Sequence, residues 1–166
     1  MSDTLDRGPG VLASDRYPIR ALTKNDLRAI VTIDQAASGR RRTEYFTRML
    51  ERALEGGDVR VSLVAEQDAR VVGFVVATVF YGEFGIAEPA ATIDTIAVAP
   101  ECRRQHVGEA LMRQLRINLG ALGVTALRSE VPWDDFELLA FFRRQGFAPA
   151  QRVCLERALD PTAPER

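Results

Sequence analysis

The chain has 166 residues, 46% hydrophobic and 27% charged, which suits one domain with a real core that needs no metal or disulfide staple. Its 22 Lys and Arg against 23 Asp and Glu leave a net charge of −1; that excludes a general nucleic-acid binder, which needs a positive excess, and, with the apolar content, wholesale disorder. The two cysteines, Cys102 and Cys154, make no framework. The N-terminus has no apolar run of signal-peptide length, and the longest apolar stretch, Val71 to Phe80, is too short to span a bilayer. A cytoplasmic protein with no membrane partner is the expectation.

Residues 1–15, with Gly8, Pro9 and Gly10, read as a flexible arm before a single domain over residues 16–160; the closing DPTAPER reads as a frayed tail. Tyr17 to Leu22 suits a short strand. Thr23 and Asp26 resemble a helix-capping pair, and Leu27, Ile30, Ile33 and Ala37 follow at helical spacing. Ser38-Gly39 stops that helix. Arg40, Arg41 and Arg42 lie in the connection, either as a solvated run or as a site for an acidic group. Tyr45, Phe46, Met49, Leu50, Ala53 and Leu54 form the stripe of a second helix, ended by Gly56-Gly57.

Val59–Glu66 and Val71–Tyr81 read as a hairpin around Gln67 to Arg70. A loop with Glu83 and Glu88 leads to a third strand, Thr92–Val98. Val107–Leu122 is a helix, with Leu111, Met112, Leu115 and Leu119 on one side, and Val124–Val131 a strand parallel to the third. Asp134, with Glu137 three residues on, is expected to cap a last helix stopped by Gly146. Phe147 and Val153–Leu159 supply closing strands. The order is β-α-α-β-β-β-α-β-α-β-β, a mixed α/β or α+β domain.

The junction between the third strand and its helix carries the chemistry. It reads Pro100-Glu101-Cys102-Arg103-Arg104-Gln105-His106-Val107-Gly108-Glu109-Ala110. A turn with two arginines enters a helix N-terminus, whose free amides and dipole suit a diphosphate; Gly108 lets a phosphate approach the backbone. An ordinary βα loop with solvated arginines fits the same residues. Cys102 and His106 are half a metal set at most, so no metal is expected. A Cys-His nucleophile lacks a third member and an oxyanion signal.

Arg103-x-x-His106-x-Gly108 resembles the acyl-CoA-binding motif of the GNAT superfamily of N-acetyltransferases, Gln/Arg-x-x-Gly-x-Gly/Ala after a strand, with His106 replacing the first Gly. A second likeness is Val131 to Phe147, where Phe141-Phe142 and Gly146-Phe147 fall at the family's spacing. There Asp135 stands at an Asn position, Leu138 at an Ala position and Phe142 at the place of a Tyr that protonates the departing thiolate in many members. The likeness covers roughly residues 17–159 and implies a mostly antiparallel mixed sheet with one parallel β-α-β unit and helices on both faces.

It also implies transfer of an acetyl group from acetyl-CoA to a primary amine, on a small molecule or a protein, by direct attack. The cofactor-binding residues would be Ile96, Val98, Arg103, Arg104, Gln105, His106, Val107, Gly108, Glu109, Ala110, Asp135 and Phe142. Ile96 and Val98 would meet the pantetheine and the acetyl carbonyl through their backbone, at a bulge. With Phe142 unable to donate, Tyr45, Tyr81 or water must protonate the thiolate.

Asp94, an acid inside the β-branched run Thr92 to Ile96, is the first candidate for the general base, and Glu130, near the end of the adjacent strand, the second. Each reads also as half of an ion pair, Glu130 with Arg128. Alternation puts Asp94 on the face of Ile96 and Val98 unless a bulge intervenes. Glu83, Glu88 and Asp94 make residues 81–94 locally acidic, which suits a cationic amine; residues 101–116, with four arginines and two glutamates, are locally basic. Trp133 is expected to pack on Phe136. A non-catalytic acyl-CoA-binding or regulatory module is the alternative, favoured by His106 and Phe142. Oligomeric state is not legible, a homodimer being only the general prior.

Overall fold

A charge cluster joins the first strand to the first helix and sets where the helical layer meets the sheet. The computed structural model describes residues 16–55, 59–81 and 87–159. The N-terminal arm, the Gly56-Gly57 stop, Glu83 and the tail from Asp160 lie outside the described residues. Strand β1 (Ile19–Ala21) leads through a 3-10 turn, Lys24–Asp26, into helix α1 (Leu27–Ser38). Asp26 is buried, and its carboxylate accepts from Arg20 Nη1 and Nη2 at 2.7 and 2.8 Å and from Thr23 N and Oγ1 at 2.8 and 2.9 Å. Thr23 and Asp26 thus form the capping box that their spacing predicts. Gly39, at φ +71°, ends α1 with its amide on Gln35 O.

Helix α2 (Thr43–Glu55) follows, then β2 (Val59–Gln67), β3 (Arg70–Phe80) and β4 (Ala90–Val98). Asp68 and Ala69 both take positive φ, the tight two-residue turn that suits the twist of a hairpin. Helix α3 (Val107–Ala121) crosses to β5 (Ala126–Ser129), and α4 spans Phe136–Arg144. Among the described residues the sheet has five strands in the order β1-β2-β3-β4-β5, antiparallel except for β4 and β5. This is the mixed, mostly antiparallel sheet with one parallel β-α-β unit that the sequence leads one to expect.

The two faces of the sheet are identified by β3. A Cβ at Gly73 would lie 2.9 Å from Val107 Cγ1 and 3.3 Å from Leu111 Cδ1, so Gly73 turns to α3 and its bare Cα lets the first turn of that helix sit down on the sheet. Phe74, the next residue, turns the other way and meets Phe46 of α2 edge to face, with ring centroids 5.6 Å apart. Helices therefore cover both faces: α3 the one, α1 and α2 the other. Val75, Val76, Leu111, Met112 and Leu115 are fully buried between these layers.

The chain divides into two units after Pro132. In the second, Asp135 and not Asp134 caps α4: its Oδ1 accepts from Leu138 N at 3.0 Å. Two adjacent acids present the same pattern, and only the one whose third-following amide opens the helix can serve. Gly146, at φ +87°, stops α4 as expected. Trp133 and Phe136 are 83% and 72% exposed, so the packing expected between them is absent. The closing strands expected at Phe147 and Val153–Leu159 are also absent: residues 147–159 form no strand, and Val153, Leu155 and Leu159 are exposed. Alternation supplies an apolar face, but a strand also needs a ladder partner.

The Arg20 guanidinium holds Asp26 down from 3.8 to about 2. A carboxyl depressed on folding stabilises the fold above its unfolded pKa, and that contribution goes as pH falls through about 2. Asp26→Asn should cost about 2 kcal/mol at pH 7, and the gap to the parent should close between pH 4 and 2 in urea unfolding. Gly73→Val should cost about 1–3 kcal/mol by overpacking against Val107; an unchanged urea midpoint would contradict the close approach of α3.

Candidate functional site

Strand β4 carries one residue more than β3 can pair. Val76 pairs with Thr95 and Ala77 with Ile93, which leaves Asp94 as the extra residue of a β-bulge. The bulge reverses the alternation. Ile93, Ile96 and Val98 stand opposite Ala77, Val75 and Gly73 on the α3 face. Asp94 goes the other way: its Oδ2 accepts from Oγ1 of Thr78 at 2.8 Å, and Thr78 shares the parity of Phe74 on the α1–α2 face. Asp94 therefore does not share a face with Ile96 and Val98, because the bulge intervenes. Its carboxylate is exposed and, among the described residues, in no ion pair, whereas Thr78 is buried at 3% exposure.

The same point on β4 is where the sheet opens. Pairing with β5 runs from Ala90↔Ala126 to Ile93↔Ser129 and stops, with Ser129 Oγ on Ile93 O at 3.3 Å. The next residues are Asp94 on one strand and Glu130 on the other, so the two acids flank the parting of the strands. Glu130 is exposed and shows no ion pair with Arg128. Beyond Ile93, β4 has a partner only in β3 among the described residues. Ala99 N donates to Val72 O across β3 at 2.8 Å. By alternation, the N–H and C=O of Ile96 and Val98 leave on the opposite side, into the open edge.

At the end of β4 the chain turns through Pro100–Cys102 into the arginine loop. Arg104 and His106 both adopt left-handed backbone, at φ +59° and +68°. His106 thus keeps the conformation for which a glycine is suited, at a cost of roughly 1–2 kcal/mol, and its Nδ1 lies 2.8 Å from Glu109 Oε2. Alternating left- and right-handed residues turn successive amides toward one point, an anion-binding concavity. The first amide of the stretch with a main-chain acceptor is that of Ala110, on His106 O at 3.0 Å; those of Arg104 to Glu109 have none among the described residues.

Gln105 braces the loop rather than facing outward, its Nε2 donating to Glu101 O at 2.9 Å. Val107 and Ala110 are buried beneath the helix start, while Arg103, Arg104, His106 and Glu109 are exposed around it and Gly108 is partly exposed. This is a set of free donors with cationic side chains at a helix N-terminus, which suits a diphosphate. It lies at one end of an open strand edge, which suits an extended chain bearing amides.

Other candidates have other partners. Asp135 spends its carboxylate on the α4 cap, and Phe142 is buried with its ring against Phe141 and Phe147 at 5.5 and 4.8 Å. Arg42 is partly exposed but already engaged: its Nε donates to the buried Asp34 at 2.9 Å, and its guanidinium lies over the rings of Tyr45 and Phe46. Arg40 and Arg41 are exposed, as is Tyr81. The residue that sequence reasoning missed is Thr78, a polar side chain in a run of valines that nothing but its partner marks out. Among the described residues no cluster of His, Cys, Asp and Glu could hold a metal, and no helix is long and apolar enough to cross a membrane.

The sequence profile of the acetyltransferase (GNAT) family matches residues 27–147. No curated protein matches the sequence. Among solved structures, the ribosomal-protein-S18-alanine N-acetyltransferase of Escherichia coli is similar at 26% identity and TM-score 0.67, over 81% of this chain and 79% of that one. An aminoglycoside acetyltransferase, AAC(6')-Iy, in complex with a bisubstrate analogue, CoA-S-monomethyl-acetylneamine, is similar at 20% identity and TM-score 0.72, over 87% and 99%. A transcriptional regulator from Bacillus halodurans gives 18% and 0.72, over 86% and 99%. The last two likenesses, at such identities, show the fold alone.

Cys102 is buried, its Sγ 3.6 Å from Gln67 Oε1, and burial pushes its thiol up, the reverse of what a nucleophile needs. Cys154 is exposed. A maleimide should therefore label the native protein at Cys154 and reach Cys102 only on unfolding; equal labelling of both at neutral pH would contradict this burial.

Proposed function

We propose that this chain, which belongs to the acetyltransferase (GNAT) family, moves an acetyl group from acetyl-CoA to a primary amine by direct attack. The observation that carries the reading is the coincidence, at one place on β4, of a bulged acid, the end of the β5 ladder and an open strand edge that runs into a loop of free amides. The loop from Arg103 to Ala110 would hold the diphosphate, through its amides and the two arginines. Ile96 and Val98 would offer main-chain groups to the pantetheine and to the thioester carbonyl.

Asp94 is the general base of this proposal. In the reaction the amine nitrogen attacks the thioester carbon, the C–N bond forms, the C–S bond breaks, and the amine proton passes to Asp94 directly or through water. The thiolate takes a proton from water, since Phe142 carries none to give and a thiol of pKa near ~8.5 is a tolerable leaving group. Asp94 lies on the α1–α2 face and the arginine loop opens from the α3 side, so an anionic donor and a cationic acceptor would approach from different faces. Glu130, across the parting of the strands, is the second carboxylate that could receive the proton.

The reading includes a cytoplasmic protein acting as one domain over residues 16–160, with an amine acceptor and no nucleic-acid or membrane partner. The family profile crosses the division at Pro132, which supports the single domain. The acceptor could be a small molecule or a protein amino group.

Purified protein should release free thiol from acetyl-CoA in the presence of a suitable amine from a panel. Asp94→Asn should slow that release by about 10²–10⁴-fold and remove the acidic limb of its pH profile; an unchanged rate and profile would take the role from Asp94. Gly108→Trp should abolish acetyl-CoA binding in calorimetry, and wild-type affinity there would contradict the loop assignment. Tight binding with no amine-dependent thiol release would favour a non-catalytic acyl-CoA module, the reading that Phe142 supports.

A further inference from the structure

Thr78 is a polar side chain in the core of β3, flanked by Ala77 and Val79 and 3% exposed. The isosteric Val would fit a strand so rich in valine, and would bury no hydroxyl. Among the described residues the hydroxyl has one partner, the exposed carboxylate that the bulge throws out of β4: Oγ1 donates to Asp94 Oδ2 at 2.8 Å. Asp94 is held from nowhere else on its side chain. Thr95 Oγ1 donates to the Asp94 main-chain oxygen at 2.8 Å, which fixes the backbone of the bulge and not the carboxylate.

We infer that Thr78 is a positioning residue, whose hydroxyl fixes the rotamer of the Asp94 carboxylate, so that Asp94 meets the acceptor amine already aimed. This rests on the reading of Asp94 as the base. One oxygen is tied to Thr78, and the other remains exposed to take a proton.

No other group competes for that carboxylate. On β5 the neighbouring charges are Arg128, opposite Thr92, and Glu130, past the last pair; Arg128 forms no ion pair with Asp94. On α1 the buried charge is Asp34, which Arg42 of the following loop neutralises. Glu109, Arg113 and Arg116 belong to α3 on the opposite face, and on β3 the facing group is Thr78 itself.

The test compares Thr78→Val, which keeps shape and loses the donor, with Thr78→Ser, which keeps the donor. The Asp94 carboxyl-carbon signal is recorded by NMR at neutral pH in each, and acetyl transfer to an amine is followed. Thr78→Val should move that signal and lower kcat by about 2- to 10-fold, the equivalent of one net hydrogen bond. Acetyl-CoA affinity should not change, and Thr78→Ser should restore both the signal and kcat. A Thr78→Val signal and kcat equal to the wild type, or a Ser variant as altered as the Val variant, would overturn the inference. The carboxyl signal reads Thr78 without any turnover, whereas loss of the base assignment itself would show as an Asp94→Asn enzyme with full activity. The two failures are therefore separable.

Discussion

One extra residue in β4 organises this molecule. Without the bulge at Asp94 the strand would alternate evenly, Asp94 would share the α3 face with Ile96 and Val98, and the acid would stand beside the loop of free amides. With it, the carboxylate crosses to Thr78 on the other face, and Ile96 and Val98 keep their side chains under α3. The β5 ladder ends one residue earlier, at Ile93, so the bulge and the opening of the sheet fall together. A bulge disrupts the ladder and strengthens local twist, which accounts for both in one distortion.

The scaffold around that distortion is closely packed. Gly73 admits the first turn of α3 to the sheet, and so fixes the height of the arginine loop above the end of β4. The loop stores backbone strain at Arg104 and His106, which the buried Val107 and Ala110 below and the Gln105 brace above hold in place. On the far face, Arg20 with Asp26 and Arg42 with Asp34 tie the two N-terminal helices down by paired, hydrogen-bonded charges. Buried carboxylates of that kind are satisfied and serve the fold; Asp94, exposed and held by a single hydroxyl, is of a different kind.

Much of this was legible beforehand. Helical spacing placed α1, α2 and α3, the Thr23–Asp26 pair marked the first cap, and the end of the third strand marked the junction from which α3 starts. The bulge was not legible, because one inserted residue leaves no trace in a run as uniformly β-forming as Thr92 to Val98. Nor was the role of Arg42: three consecutive arginines look alike until one finds a buried partner in Asp34, eight residues earlier. The choice between Asp134 and Asp135 depended on a single amide, and the closing strands failed because an alternating segment says nothing of what it pairs with. What escaped the sequence in each case was a pairing, which belongs to two positions and is written in neither.

The central claim is that the amides of the arginine loop and the open edge of β4 form one continuous binding surface. It is tested most directly by following the backbone amide signals as acetyl-CoA is added. The account predicts that the largest shifts fall in two groups, Arg104 to Glu109 and Asp94 to Val98, and that they saturate together. Shifts confined to other elements, or movement of the loop with the β4 edge unchanged, would contradict it.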